Sequence, residues 1–448
     1  MERMDETTGR PMTVMESEAL EFAQRLIRIE SVSSSDVEEV GTGEAEAALY
    51  LKSLLEEADL APEYFESRPG RGNLVCRIRS GNAMPALVVH AHLDVVPAAP
   101  EDWTVPPFAG RIQDGYLWGR GAADMKGMAA MMVAVARDLY RESVVPHRDI
   151  VLAFFADEET GGRHGARWMV EHHPDAFDGA TEALSEIGGF TISLPTGRRA
   201  YMLATAEKGM AWAKLRATGT AGHASMPSAD NALSALALAL ARIANHRFPI
   251  VRSEAVDTLF STVRADMGRD TAGIADDSVL LAELGSVGRI VDAALRNTAS
   301  PTVIHGGYKE NVIPHEAHAI VDCRLLPGTE ATFKTEFREL VGPDIEVEWM
   351  TSLPAVQAPH DGPLVDSIKR AVGREDPDAI VAPYLVPAGT DNKHLSKLGI
   401  AGYGFTPLPV PAGFDVLAQY HAADERIPVQ ALVNGVRMLR RIIADGRH

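Results

Sequence analysis

Six short pieces of this sequence carry side chains that could act together on a divalent ion. His92 and Asp94 end an apolar run and stand two apart, so in an extended chain both project from one face. Asp124 follows Gly119-Arg120-Gly121 where a loop gives way to a helix, and Glu158 with Glu159 follows the apolar run 150–156. Glu186 lies in Ser185-Glu186-Ile187-Gly188-Gly189, His223 in Gly222-His223-Ala224-Ser225, and His421 in His421-Ala422-Ala423-Asp424-Glu425. An imidazole followed by spaced carboxylates builds a site for a hard-to-borderline divalent ion, and zinc suits this set. Each piece alone has a plainer meaning: a strand-end histidine satisfied in the core, a solvated Glu-Glu loop, an aspartate capping its helix. Order, spacing and position together favour the metal, because most of these groups follow an apolar strand run.

The elements that must position them alternate. Helical spacing marks a helix opened by Ser17 and a second over 43–60, and strand runs cover 73–78 and 87–96. A helix over 125–140 and the apolar run 150–156 continue the alternation, which predicts an α/β fold with a mostly parallel sheet covered on both faces. Ligand groups in such sheets gather at the carboxyl ends of strands, where the acidic loops fall. From Glu207-Lys208-Gly209 the texture changes to strand, helix, two strands, helix, strand, the order of a ferredoxin-like α+β sandwich. The expected organisation is therefore a catalytic domain in two parts, 1–206 and 352–448, interrupted by a second domain over 207–351.

Composition narrows the partners. At 448 residues the chain exceeds one ordinary core. A net charge of −19 disfavours nucleic acid and anionic membrane surfaces. Only Cys76 and Cys323 are present, which excludes a disulfide framework and a thiolate zinc site. The first dozen residues are polar and read as frayed, without an apolar leader, and no window is long enough to span a bilayer; the cytoplasm is the expected compartment.

On these residues, from roughly Leu20 to the final helix, the chain resembles the zinc-dependent aminoacylase and carboxypeptidase family, which also contains dipeptidases and succinyl-diaminopimelate desuccinylases. Glu207-Lys208-Gly209, Gly222-His223-Ala224-Ser225 and Gly389-Thr390-Asp391 through Tyr403-Gly404-Phe405 make it most similar to the carboxypeptidase-like branch. The resemblance implies an α/β catalytic domain with a smaller inserted lid. It implies that His92 and Glu186 hold one zinc, Glu159 and His421 the other, and Asp124 both, with cobalt or manganese able to occupy the same ligands. Glu158 would be the general base and Asp94 the carboxylate orienting the first ligand. His223 would reach the oxyanion, in several relatives across a dimer interface, so a homodimer through the lid is expected. Asn311 and Arg324 would hold the substrate carboxylate, for which a planar guanidinium fork is suited, and Gly389 and Thr390 would line the substrate site. A paired metal lowers the pKa of a shared water towards about 7. The implied reaction is amide cleavage beside a free carboxylate in a small peptide or N-acyl amino acid. The alternative is a catalytically silent relative that binds metal and ligand, against which Glu158 argues by being present. Phosphate chemistry lacks a phosphate loop, since Gly119-Arg120-Gly121 has the wrong spacing.

Three departures stand out. Ile187 occupies a position where such relatives usually have glycine, and the stretch 250–302 reads as extra length in the lid. Asn392-Lys393-His394 follows the Gly-Thr-Asp loop; His394 reads as a helix-capping surface residue, with a place in the substrate pocket as the alternative. His90 reads as a core histidine, and His172-His173 as the carbonyl end of a helix. His305, His315 and His318 read as residues of lid strands and turns, with His315 near the site as its alternative.

Overall fold

In the computed structural model the described residues are 9–34, 41–226, 228–268, 280–282 and 284–444. The first eight residues, part of the dozen expected to fray, and residues 269–279 and 283 of the extra stretch lie outside them. The expected alternation forms a ten-stranded mixed sheet. Its middle is parallel: strand Ala86–His92 pairs in parallel with Ile150–Phe155 on one side and Ala180–Ser185 on the other, and Ala180–Ser185 with Ala401–Gly404. Ile380–Val386 runs parallel to Arg199–Glu207. Antiparallel pairing appears towards both edges: Glu63–Glu66 meets Gly72–Ile78 and the latter Ile150–Phe155 at one, and Arg199–Glu207 meets Val356–Gln357 and Thr191–Ser193 at the other.

The apolar runs are continuous because both faces are covered. Leu87, Val89 and Ala91 point into one core and Ala86 and Val88 into the other, the two-residue alternation of a strand. Helices Val14–Arg28, Lys126–Arg141 and Val429–Ala444 cover the first face. Ala166, Met169, Phe177 and Leu395 belong to the second core. The first helix starts at Val14 rather than Ser17. Thr13 caps it, and the Glu16 carboxylate accepts the Thr13 N–H at 2.7 Å, a reciprocal capping box. Among the described residues no helix is long and apolar enough to cross a membrane.

A second, four-stranded antiparallel sheet has the order Thr298–Gly306, Glu316–Leu325, Gly209–Thr218, Ile345–Leu353. Helices Ala232–Asn245 and Glu330–Val341 pack on it around Ala213, Leu236, Val321, Phe333 and Phe337, a core separate from those of the large sheet. The extra stretch departs from its expected place. Helices Glu254–Asp266 and Ser286–Ala294 leave the small sheet and pack on strand Ile380–Val386. Val256, Leu259, Phe260, Val287 and Val291 join the large core because their apolar stripes match it rather than the small sheet.

Candidate metal centre

Strand ends gather the ligand groups. His92 is the last residue of its strand, Glu186 follows Ala180–Ser185, and Glu158 opens a one-turn helix after Ile150–Phe155. Asp124 stands two residues before helix Lys126–Arg141. Two triads result, His92 with Asp124 and Glu186, and Asp124 with Glu159 and His421, each with its ligand atoms within 4.8 Å of one another. Asp124 belongs to both, one oxygen to each: His92 Nε2 lies 3.0 Å from Oδ1 and His421 Nε2 3.3 Å from Oδ2. His421 Nε2 is 3.1 Å from Glu159 Oε2, and His92 Nε2 is 3.6 Å from Glu186 Oε2. Glu159 Oε1 is buried without a hydrogen-bond partner among the described residues. A shared carboxylate, an imidazole and a further carboxylate on each side, and a buried orphan oxygen together fit two divalent ions.

The electrostatics point the same way. Burial raises Glu186 to about 7 and raises Glu159. Burial, reinforced by the charge of Glu186, holds Glu158 well above its ordinary value. Burial would also raise Asp124, but hydrogen bonds from His421 and His92 overrule it and hold the carboxyl well below the usual range. His421 is pushed up to about 10 by its hydrogen bonds to Asp124 and Glu159. Burial opposes a charge on His92, yet Glu186, Asp124 and Asp94 hold it well above the ordinary imidazole. So many carboxylates converge that the protein's own imidazoles take up protons to offset them.

Supporting groups fix the ligands. The His92 Nδ1 lies 3.0 Å from the Asp94 carbonyl, leaving Nε2 towards the cluster. Asp94, fully buried, accepts the Glu158 N–H at 3.1 Å and the Glu159 N–H at 3.0 Å, one on each oxygen. The turn before them has Asp157 in the left-handed region, its side chain accepting the His164 N–H and pairing with buried Arg71. Glu425 had no role in the sequence reading. It is fully buried and accepts from Arg120 Nη1 at 2.8 Å and from the N–H groups of Gly121, Ala123 and Asp124 at 2.9, 2.7 and 3.1 Å, so it shapes the loop presenting Asp124. Its signal was a second acid four residues after His421 in a motif otherwise read for its histidine. Ile187 stands at φ +53°, where a β-branched side chain is unusual, and its carbonyl accepts the Tyr384 hydroxyl at 2.8 Å.

The remaining candidates make no hydrogen bond or ion pair with the ligands of this cluster among the described residues. His223 is exposed, on a two-residue strand paired with Val312–Ile313, and Asn311 adjoins it through its carbonyl, which accepts the Ala224 N–H at 3.0 Å. The Ser225 N–H donates to His223 Nδ1 at 3.2 Å, so the neutral ring carries its proton on Nε2. Arg324 makes a two-pronged pair with Asp322, Nε to Oδ1 at 2.7 Å and Nη2 to Oδ2 at 2.9 Å, which leaves the Nη1 side of the fork for another carboxylate. Thr390 is buried, its N–H and hydroxyl both donating to Glu207 at 2.9 and 2.6 Å, so it holds the loop from within rather than lining a pocket with its hydroxyl. Gly389 is needed for a close approach: a Cβ there would meet Lys393 Cε at 2.0 Å. His394 is buried rather than a surface cap, and burial pushes it down to about 4. His90 is a buried core residue bonded to Asn392 Oδ1 at 2.9 Å. His172, exposed at a helix end, bonds the Trp168 carbonyl at 3.0 Å, and His315 is exposed.

Comparison with known proteins fits this geometry. The sequence model of Peptidase family M20/M25/M40 matches residues 88–445. A Dictyostelium discoideum protein named "Probable carboxypeptidase S-like 2" is 28% identical over 362 residues, 78% of this chain and 69% of that one. A Xenopus tropicalis protein named "N-fatty-acyl-amino acid synthase/hydrolase PM20D1" is 26% identical over 431 residues, 92% of this chain and 83% of that one. Among solved structures, an M20 family metallo-carboxypeptidase from Sulfolobus solfataricus superposes with a TM-score of 0.72 at 17% identity, over 95% of this chain and 98% of that one.

Proposed function

Because the chain belongs to Peptidase family M20/M25/M40 and is a metal-dependent amidohydrolase, we propose that it cleaves an amide beside a free carboxylate, in a dipeptide, at a peptide C-terminus or in an N-acyl amino acid. The observation that carries this is the pair of triads sharing Asp124, with Glu158 next to a ligand on the same turn. His92, Asp124 and Glu186 would hold one ion and Asp124, Glu159 and His421 the other, zinc by the chemistry of the donors. When bound, two such ions would supply Lewis acidity to a carbonyl and to a water. Glu158 takes a proton from the attacking water onto its carboxylate and delivers it to the departing amine, a task suited to a raised carboxyl. His223 donates from Nε2 to the developing oxyanion, and Arg324 receives the substrate carboxylate on Nη1 while Asp322 holds the other side of the fork.

His223 has no bond to the metal cluster among the described residues, and the edge strand Thr298–Gly306 is exposed along most of its length. Both favour a homodimer in which this edge meets its counterpart and His223 serves the neighbouring site. The test strips metal with a chelator, adds back zinc, cobalt or manganese, and assays dipeptides and N-acyl amino acids with and without a free α-carboxylate. Restored cleavage confined to the carboxylates is expected, and Glu158→Gln should keep two metals per chain while kcat falls by about 10²–10⁴. Undiminished turnover by that variant would refute the assignment of Glu158, and metal binding without turnover in the unaltered protein would make the chain a silent relative.

A further inference from the structure

The backbone passes from the large sheet to the small one through a single residue, Lys208, between strands Arg199–Glu207 and Gly209–Thr218. It returns through Pro354 and Ala355, between Ile345–Leu353 and Val356–Gln357. These crossings lie side by side, since Val356 pairs with Glu207 and Met210 with Leu353. One buried ammonium reaches both. Lys393 Nζ donates to the Lys208 carbonyl and, at 3.5 Å, to the Pro354 carbonyl, with Glu207 Oε2 3.8 Å away. A buried cation is tolerated only where its charge and donors are met, and here the partners are the two crossings and the last side chain of strand Arg199–Glu207.

The surroundings are built to hold that ammonium. Glu207 is fixed by the Thr390 N–H and hydroxyl and by Asn392 Nδ2 at 3.3 Å. The lysine stem runs over Gly389, where a Cβ would meet Lys393 Cε at 2.0 Å and push the stem aside. Arg324 stands in register with Met210, two residues past the Lys208 crossing, so its strand is tied by backbone pairing to the strand that leaves the crossing. We propose that Lys393 is a positioning residue that pins the two backbone crossings together and thereby sets where Arg324 stands relative to the metal cluster. The pin stands on geometry alone; its effect on catalysis rests on the function proposed above.

The test uses the full chain loaded with zinc and spin-labelled at Leu49→Cys on the large unit and Met350→Cys on the small one, both exposed, while native Cys76 and Cys323 are buried. Pulsed electron resonance reads the distance distribution between the labels. Lys393→Met removes the ammonium, and Gly389→Ala leaves it in place chemically but pushes its stem aside. Both should broaden the distribution, and Lys393→Arg, which keeps the donors, should hold it closer to the unaltered width. In the unlabelled variants metal content stays at two per chain while KM for carboxylate substrates rises about tenfold and kcat changes less. An unbroadened distribution in Gly389→Ala overturns the pin, even where Lys393→Met does not fold. Metal loss in step with activity marks a merely structural role and overturns it equally. Broadening in a protein that turns over no substrate sinks the hydrolase reading and leaves the pin standing.

Discussion

His421 shows how a single side chain reports the state of the centre. In the metal-free protein its ring is hydrogen-bonded to Asp124 and Glu159 and pushed up to about 10. A folded value above the unfolded one of about 6.5 means that its contribution to the metal-free fold is complete below that pH and is lost as pH rises through about 10. A ligating imidazole must be neutral, so metal uptake at pH 7 has to expel the proton, and His92, held well above its ordinary value, behaves alike. Calorimetric titration of the stripped protein in buffers of different ionisation enthalpy should show release of two or more protons on saturation with zinc, since Glu186, raised to about 7, sheds its share as well. No net release would contradict the pairing of these imidazoles with the cluster. The types of these residues were legible in the sequence, because ligand chemistry restricts them to imidazole and carboxylate. Glu425 was not, because a buried acid that accepts from backbone N–H groups resembles a surface acid until the chain folds around it.

At the scale of elements, the turn carrying Glu158 and Glu159 is set by a carboxylate on a different strand end. Asp94 accepts two adjacent N–H groups, one per oxygen. Asp94→Asn presents one acceptor oxygen and one amide that repels the second N–H. It should therefore weaken zinc binding by about 10–100-fold and reduce kcat with little change in far-ultraviolet dichroism, as checked by competition with a chromogenic chelator and by kinetics. Unchanged affinity would reduce Asp94 to packing. The strands were readable because doubly covered runs such as 150–155 contain only apolar residues. Helix starts were less so: Ser17 invites a cap, yet the cap that the Thr13 and Glu16 pair closes lies four residues earlier. The extra helices misled more deeply, since an amphipathic stripe announces that it will be covered but not by which of two cores.

For the whole molecule, the exposed edge strand is the feature with the clearest consequence. Ile304 and Val303 are 60% and 41% exposed on it, and Leu238 on the adjoining helix is 62% exposed. Light scattering on the sized protein should give a dimer, and Ile304→Lys should yield a monomer, because a charge facing its own copy across a two-fold axis is unpaired on both sides. If His223 serves the neighbouring site, this variant also loses turnover in proportion to dimer while keeping its metals. Full activity in the monomer would mean that His223 acts within its own chain. The large sheet and the metal cluster follow from local pattern, whereas this edge and the lysine between the sheets depend on residues that meet only across long separations.

The two helices that leave the small sheet and return to it begin and end at neighbouring points, since the Val251 N–H donates to the Leu295 carbonyl at 2.8 Å. A segment whose two ends already touch behaves as a graft: the register of the small sheet does not run through it, and a short splice could replace it. Such a splice would bare the apolar face beside Ile380–Val386, so a spliced chain would have to cover that face in some other way. The small unit is accordingly not a contiguous piece of the gene that could be cut out whole, because a part of its sequence belongs by packing to its host.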